Sequence, residues 1–149
     1  SAGYIQYEIS NFAQPGFQSK HNSSYWHDIP YIGIGASAHS YDIKTRHWNI
    51  SDITKYISGI ESCILPFEEE FIDKNTKYDD LITTAMRTRE GIDTEKLKAD
   101  FGNELYTYFM KEAAKHINNG TLQNVDGRVS LTRKGLFISD DIMSDLMHV

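Results

Sequence analysis

Asn118-Asn119-Gly120-Thr121-Leu122-Gln123-Asn124-Val125-Asp126-Gly127-Arg128-Val129-Ser130-Leu131-Thr132 is the stretch whose reading decides the fold. Gly120 after two asparagines is a helix stop, since glycine takes the left-handed backbone that ends a helix without a Cβ clash. Residues 121–125 and 128–131 have strand character and flank Asp126-Gly127, a strong signal for a two-residue hairpin turn. Toward the N-terminus, Leu105, Phe109, Ala113 and Ile117 recur every four residues, which predicts a helix running into that stop. Further out, Asp93 can cap a short helix through Leu97 and Phe101, closed by Gly102. Tyr78, Leu81, Ile82, Ala85 and Met86 form another stripe, closed by Gly91. Toward the C-terminus, Thr132 is placed to cap a last helix carrying Leu136, Phe137, Ile142 and Leu146.

Three helices, a tight hairpin and a closing helix make a winged-helix-like order. That order invites a DNA-binding reading, but the charges oppose it. Lys111 and Lys115 on the third helix are offset by Glu104 and Glu112, and the hairpin carries only Arg128. A winged helix that packs against protein is the better expectation. The formal net charge of the 149 residues is −6. Residues 1–74 carry five Lys/Arg against nine Asp/Glu, and residues 75–149 carry ten against twelve. Neither half has the basic surplus that phosphate-backbone binding requires.

The N-terminal half reads differently. Residues 4–9 alternate as a strand does, and the strand-like run continues to Phe12, before a Pro15-Gly16 turn. Residues 14–30 are polar and aperiodic, which predicts a long functional loop with at most one helical turn. Residues 31–40 formally contain G-x-G-x-x-A at Gly33, Gly35 and Ala38. The dinucleotide site needs a helix next and then a second strand. Neither is expected here, so the glycines are read as letting the backbone pass close to a neighbour. Ser51 is a candidate N-cap for a helix with Ile53, Tyr56, Ile57 and Ile60 on one stripe, ending before Pro66. Glu68-Glu69-Glu70 is read as a solvated connector, and a boundary is expected near residues 66–76.

A hydrophobic fraction of 40% and a charged fraction of 24% are ordinary for a globular chain. No apolar run approaches a membrane span, and a cytoplasmic location is the default expectation. The single cysteine, Cys63, cannot form an intrachain disulfide or hold an iron–sulfur cluster, which takes three or four thiolates. Its apolar setting predicts a buried, inert thiol.

The chemistry-bearing cluster is His21-Asn22-Ser23-Ser24-Tyr25-Trp26. His21, His27, His39 and His47 make no pair with zinc spacing. Haem iron asks less, one or two axial side chains and an aromatic pocket, and His21 with Tyr25 and Trp26 could supply these. Ser37, His39 and Asp42 lack the glycine-flanked elbow of a hydrolase. Arg46, His47 and Asn49 could face a carboxylate or phosphate, and Asn49, just before Ser51, could equally belong to a helix-entry turn.

Taken together, Tyr7-Glu8-Ile9-Ser10-Asn11-Phe12-Ala13, then H-N-x-x-Y-W at 21–26, then Y-x-G-x-G-A-S-A-H-S at 31–40 resemble the HemN/HemW family of radical-SAM proteins. Arg89-Glu90-Gly91-Ile92-Asp93 and Leu131-Thr132-x-x-Gly135 resemble that family's C-terminal domain. Members are oxygen-independent coproporphyrinogen III oxidases, dehydrogenase-type oxidoreductases, or HemW-type haem chaperones, and the H-N-x-x-Y-W block marks the latter branch. The resemblance implies an α+β fold: the terminal strand or strands of a partial (β/α) barrel and post-barrel segment in residues 1–66, then a mainly helical, winged-helix-like domain in residues 67–149. It implies haem or porphyrin as ligand, with His21, Asn22, Tyr25 and Trp26 at the haem and His21 as axial-ligand candidate. Ala13 and His39 match positions bordering S-adenosylmethionine in the oxidase branch.

The family's C-x-x-x-C-x-x-C motif, which holds the [4Fe–4S] cluster, is absent from this chain. The resemblance therefore implies a C-terminal portion whose N-terminal barrel is missing. Cluster and S-adenosylmethionine would belong to the full-length protein only, and the chain alone would carry out no radical chemistry. Surfaces within residues 1–50 would then be exposed where a barrel should cover them. A haem-receiving protein is an implied partner, and nucleic acid is not.

Overall fold

The computed structural model describes residues 3–20 and 29–148. These form two compact units, residues 3–20 with 74–148, and residues 29–73. The first residues of the chain fall with the C-terminal ones because residues 7–9 pair with residues 87–89.

In the first unit the strand-like run of residues 4–12 is not one strand. It folds into a small antiparallel hairpin of β1 (Ile5–Gln6) and β2 (Phe12–Ala13), with Ile5 opposite Ala13. The reversal comes from Glu8, whose carboxylate gathers donors from Ser10 and Asn11 and curls the chain back.

The helical part follows the sequence closely. Helices α2 (Lys74–Ala85) and α3 (Thr94–Asn118) carry the expected stripes. Asp93 caps α3, its Oδ1 accepting from the amides of Glu95 and Lys96, both at 3.1 Å. Gly102, at φ 80°, breaks α3 where the helix stop was expected, a conformation that costs a glycine little. Strands β7 (Leu122–Val125) and β8 (Arg128–Leu131) pair through a turn with Asp126 and Gly127 both at positive φ, as a two-residue hairpin demands. Residues 92–93 add a third strand, β6 (Ile92–Asp93), in the order β6-β8-β7.

The closing helix differs from expectation. Thr132 Oγ1 accepts from the Gly135 amide at 3.2 Å, but the chain first makes a 3-10 turn (Gly135–Ile138) and then α4 (Ser139–Leu146). The change of pitch turns Phe137 outward, 85% exposed, whereas Ile142 and Leu146 reach the core. That core joins Tyr78, Ile82, Met86, Phe109, Ile142 and Leu146 with their neighbours, all from residues 78–147.

The second unit holds the strands that the glycine-rich run was not expected to precede. Strands β3 (His39–Tyr41), β4 (Thr45–Asn49) and β5 (Phe67–Phe71) form an antiparallel sheet in that order. The Glu68-Glu69-Glu70 run is thus a strand, not a connector. A strand on the rim of a sheet can keep charged side chains in water, so charge alone did not argue against one. Helix α1 (Ile53–Glu61) is capped by Asp52 rather than Ser51, through Oδ1 and the Lys55 amide at 3.0 Å. None of its residues is buried, and Ile53, Ile57 and Ile60 stand exposed. Cys63 is exposed rather than buried, at φ 57° in the turn that ends α1, a helix with no buried residue. There the Ile64 amide reaches back to the Gly59 carbonyl at 2.9 Å.

Candidate functional site

Glu8 is a buried polar group held by several partners. Its Oε2 accepts from the Ser10 amide at 3.0 Å, Ser10 Oγ at 2.9 Å and Asn11 Nδ2 at 2.7 Å. Its Oε1 accepts from Arg87 Nε at 3.1 Å. Glu8 is 3% exposed, while the Arg87 side chain is 41% exposed. Burial alone would raise the carboxyl pKa, but the Ser10 hydrogen bonds and Arg87 outweigh it and hold the pKa below the ordinary carboxylate range. The backbones are joined as well. Residues 7–9 run antiparallel to 87–89, with the Ile9 amide on the Arg87 carbonyl at 2.9 Å and the Arg89 amide on the Tyr7 carbonyl at 3.1 Å. This latch fixes the loop that ends at buried Ala13.

In the second unit the β3-β4-β5 register places His39, Tyr41, Arg46, Trp48, Glu68 and Glu70 on one face. His39 lies 5.9 Å from Trp48 and Tyr31 lies 6.0 Å from Tyr41, ring to ring. Arg46 meets Glu70 at 4.0 Å, and Trp48 Nε1 donates to Glu68 at 3.0 Å. His47 points to the opposite face, against Phe67 at 5.3 Å, so Arg46 and His47 do not converge on one anion. Asn49 is buried and structural: its Nδ2 donates to the Gly35 carbonyl at 2.9 Å. A Cβ on Gly33 would lie 2.2 Å from the His39 carbonyl oxygen, so the glycine run serves a close backbone approach, not a dinucleotide turn. Asp42 closes the β3–β4 turn, and the Thr45 amide on its Oδ1 at 2.7 Å holds its carboxyl below the ordinary range. It is therefore engaged by its own turn.

Residues 72–138 match the family described as the HemN C-terminal domain. Over 145 residues the chain is 29% identical to the heme chaperone HemW of Lactococcus lactis, covering 97% of this chain and 38% of that protein. It is 55% identical over 166 positions to the mitochondrial radical S-adenosyl methionine domain-containing protein 1 of Mus musculus, covering 98% of this chain and 36% of that protein. The chain belongs to the HemN/HemW family. Among solved structures, the Escherichia coli coproporphyrinogen III oxidase HemN, a radical SAM enzyme, superposes with a TM-score of 0.72 at 15% identity, over 97% of this chain and 37% of that one. At that identity the likeness shows the fold, which is the C-terminal α+β region of HemN. The chain spans under two-fifths of the length of these HemN/HemW relatives.

Of the residues expected at a HemN/HemW site, His21, Asn22, Tyr25 and Trp26 lie outside the described residues. Ala13 is buried at the end of β2 in the first unit, and His39 is exposed on β3 in the second. Among the described residues no cluster of three His, Cys, Asp or Glu could hold a metal ion, and no helix is long and apolar enough to cross a membrane. Glu8 and Arg87 were not found as a pair from sequence. Only the short-range half was visible, since a carboxylate followed by Ser at i+2 and Asn at i+3 is a turn-forming acceptor pattern.

Proposed function

We propose that the chain is the haem-handling C-terminal portion of a HemW-type haem chaperone. The observation that carries this is the alignment of nearly the whole chain with proteins named heme chaperone HemW, together with the block His21-Asn22-Ser23-Ser24-Tyr25-Trp26. The donor chemistry fits the group, because haem iron needs one or two axial side chains and the macrocycle needs aromatic contact. In this reading His21 is the axial ligand, with Asn22, Tyr25 and Trp26 around the macrocycle. Lys20, beside His21 in the sequence, would meet a propionate. The tetrapyrrole is carried rather than transformed. Ala13 and His39 would border S-adenosylmethionine only in a full-length protein that also holds the [4Fe–4S] cluster. The cluster does not fit this chain, whose donor set contains one cysteine. Any coproporphyrinogen oxidase-type chemistry would therefore belong to the whole protein, with the N-terminal barrel as the first partner and a haem-receiving protein as the second. The expected setting is the cytoplasm.

Titrating the chain with haem and following the Soret band tests this reading. Binding with a shifted Soret band that His21→Ala weakens or moves supports it, and an unchanged spectrum and affinity in the variant overturns the ligand assignment.

A second reading makes the C-terminal domain, residues 67–149, a protein-packing, winged-helix-like module that covers the barrel or recruits the haem-receiving partner. It is favoured over DNA binding by the pairing of both Lys111 and Lys115 with Glu112, which offsets the charge of these two lysines of α3. Retention on duplex DNA that falls steeply with salt would overturn it.

A further inference from the structure

The β3-β4-β5 sheet has two unlike rims. On the β3 side the rim is bridged, with Tyr31 and Tyr41 exchanging amide-to-carbonyl hydrogen bonds of 2.9 Å in both directions. On the β5 side the rim is open among the described residues. The direction of its backbone follows from two bonds. The Ile50 amide donates to the Pro66 carbonyl at 3.2 Å, and the Ile72 amide donates to the Lys44 carbonyl at 2.9 Å. In an antiparallel ladder such bonded pairs alternate along the strand. The groups of Glu68 and Glu70 therefore bond to β4, and the N–H and C=O groups of Phe67, Glu69 and Phe71 face outward.

The side chains sort the same way. Glu68 and Glu70 lie on the face where Trp48 and Arg46 hold them. Glu69 lies on the other face between Phe67 and Phe71, which are 47% and 76% exposed. Among the described residues Glu69 has no ion pair. An exposed carboxylate flanked two positions away on each side by exposed phenyl rings, on a strand whose outward amides have no partner among the described residues, is a template for one kind of strand.

The geometry points to the open rim of β5 taking an extended segment of a partner polypeptide as a fourth strand, with Lys or Arg opposite Glu69 and apolar residues two positions to either side. Backbone bonds to residues 67, 69 and 71 would give the attachment, and the directly opposed side chains would give the selectivity. A second copy of this chain is a poor occupant. Centred antiparallel self-pairing sets Glu69 against Glu69, and like charges directly opposite one another are destabilising.

The test uses the 149-residue chain and a fluorescein-labelled peptide, Val-Thr-Lys-Thr-Val, read by fluorescence anisotropy at low salt up to millimolar protein. Saturable binding is expected, about threefold to tenfold weaker when the central Lys is replaced by Glu. N-methylation of the peptide amides that would meet β5 should abolish binding. Glu69→Lys, an exposed change checked by far-ultraviolet circular dichroism, should reverse the order of the two peptides. The proposal is overturned by absence of binding of the Lys-centred peptide, by equal binding of both, by indifference to N-methylation, or by a variant that keeps the original order. Self-association that Glu69→Lys abolishes would also overturn it, in favour of a second copy.

Discussion

Glu8→Gln is the most informative single substitution in the first unit, because it keeps the shape of the side chain and removes only its charge. The carboxylate accepts four hydrogen bonds, three on Oε2 and one on Oε1. A carboxamide has one accepting oxygen, so its NH₂ must face donors on one side. The lower-cost orientation keeps the oxygen toward Ser10 and Asn11 and turns the NH₂ toward Arg87, which can swing into solvent because it is half exposed. The charge-assisted bond to Arg87 is then lost, and the three that remain become bonds to a neutral acceptor. A hydrogen bond to a charged group is worth about 1.5–3 kcal/mol. Discounting the Arg87 bond for its exposure, the expected loss is about 2–3 kcal/mol. Arg87→Met should cost less, about 1–2 kcal/mol, since Glu8 keeps its three local donors.

The pH dependence gives the sign. The folded pKa of Glu8 lies below its unfolded value, near 4.3 for a free glutamate. The stabilisation is therefore complete above the unfolded pKa and disappears as pH falls through the folded pKa. Urea unfolding at neutral pH, repeated at intervals into the acid range, should show wild type and Glu8→Gln converging below about pH 4. Amide hydrogen exchange at Ile9 and Arg89 should quicken in the variant at neutral pH. A Glu8→Gln protein within about 0.5 kcal/mol of wild type, or a gap that persists unchanged to pH 3, would refute the latch as a source of stability.

Gly91→Ala should be among the most destabilising glycine changes, because the backbone there has φ 65° and the added Cβ would lie 2.1 Å from the Val129 carbonyl oxygen. A loss above about 3 kcal/mol in thermal or denaturant unfolding is expected, and a near-neutral variant would contradict the β6–β8 packing. Tyr78→Phe removes the buried hydroxyl that donates to the Leu146 carbonyl at 2.9 Å and leaves that acceptor without it, at a cost of about 1–2 kcal/mol by urea midpoint. Burial, the first cause, with the nearby Tyr108 and Asp79, raises the Tyr78 hydroxyl pKa far above the ordinary tyrosine value. Absorbance titration should accordingly leave this tyrosine un-ionised until the chain unfolds.

The elements legible in the sequence are those whose signals are local. The every-fourth-residue stripe of Leu105, Phe109 and Ala113, the Asp93 cap, the Gly102 break and the Asp126-Gly127 turn each need fewer than fifteen neighbours to be recognised, and each is found. The errors have the opposite character. Strand β5 was hidden because Phe-Glu-Glu-Glu-Phe makes sense only beside β4, where Arg46 and Trp48 engage two of the acids. The stripe of α1 is legible, but whether an apolar face is buried depends on what packs on it, and none of its residues is buried. Apolar sequence neighbours suggest a buried Cys63, whereas the thiol is exposed, in a turn at the end of an α1 that buries none of its own residues. The half of the Glu8 site that is local, Ser10 and Asn11, was within reach of inspection. Its other half, Arg87, lies 79 residues away and nothing short-range announces it.

That long reach changes how the HemN C-terminal domain is to be understood. The family match covers residues 72–138, but the physical unit is larger at both ends. After residue 138, α4 supplies Ile142, Met143 and Leu146 to the core and accepts the Tyr78 hydroxyl on its last carbonyl. Before residue 72, the β1–β2 hairpin depends on Arg87 and on the backbone of residues 87–89 for the partners of Glu8, Tyr7 and Ile9. Without the helical domain, Glu8 would be left charged with only its neighbours' donors, and the loop ending at Ala13 would lose the strand it leans on. The C-terminal domain therefore completes the fold of the segment that carries Ala13 rather than hanging from it. Any role Ala13 has at a cofactor in the whole protein would be set partly by residues more than seventy positions further along the chain.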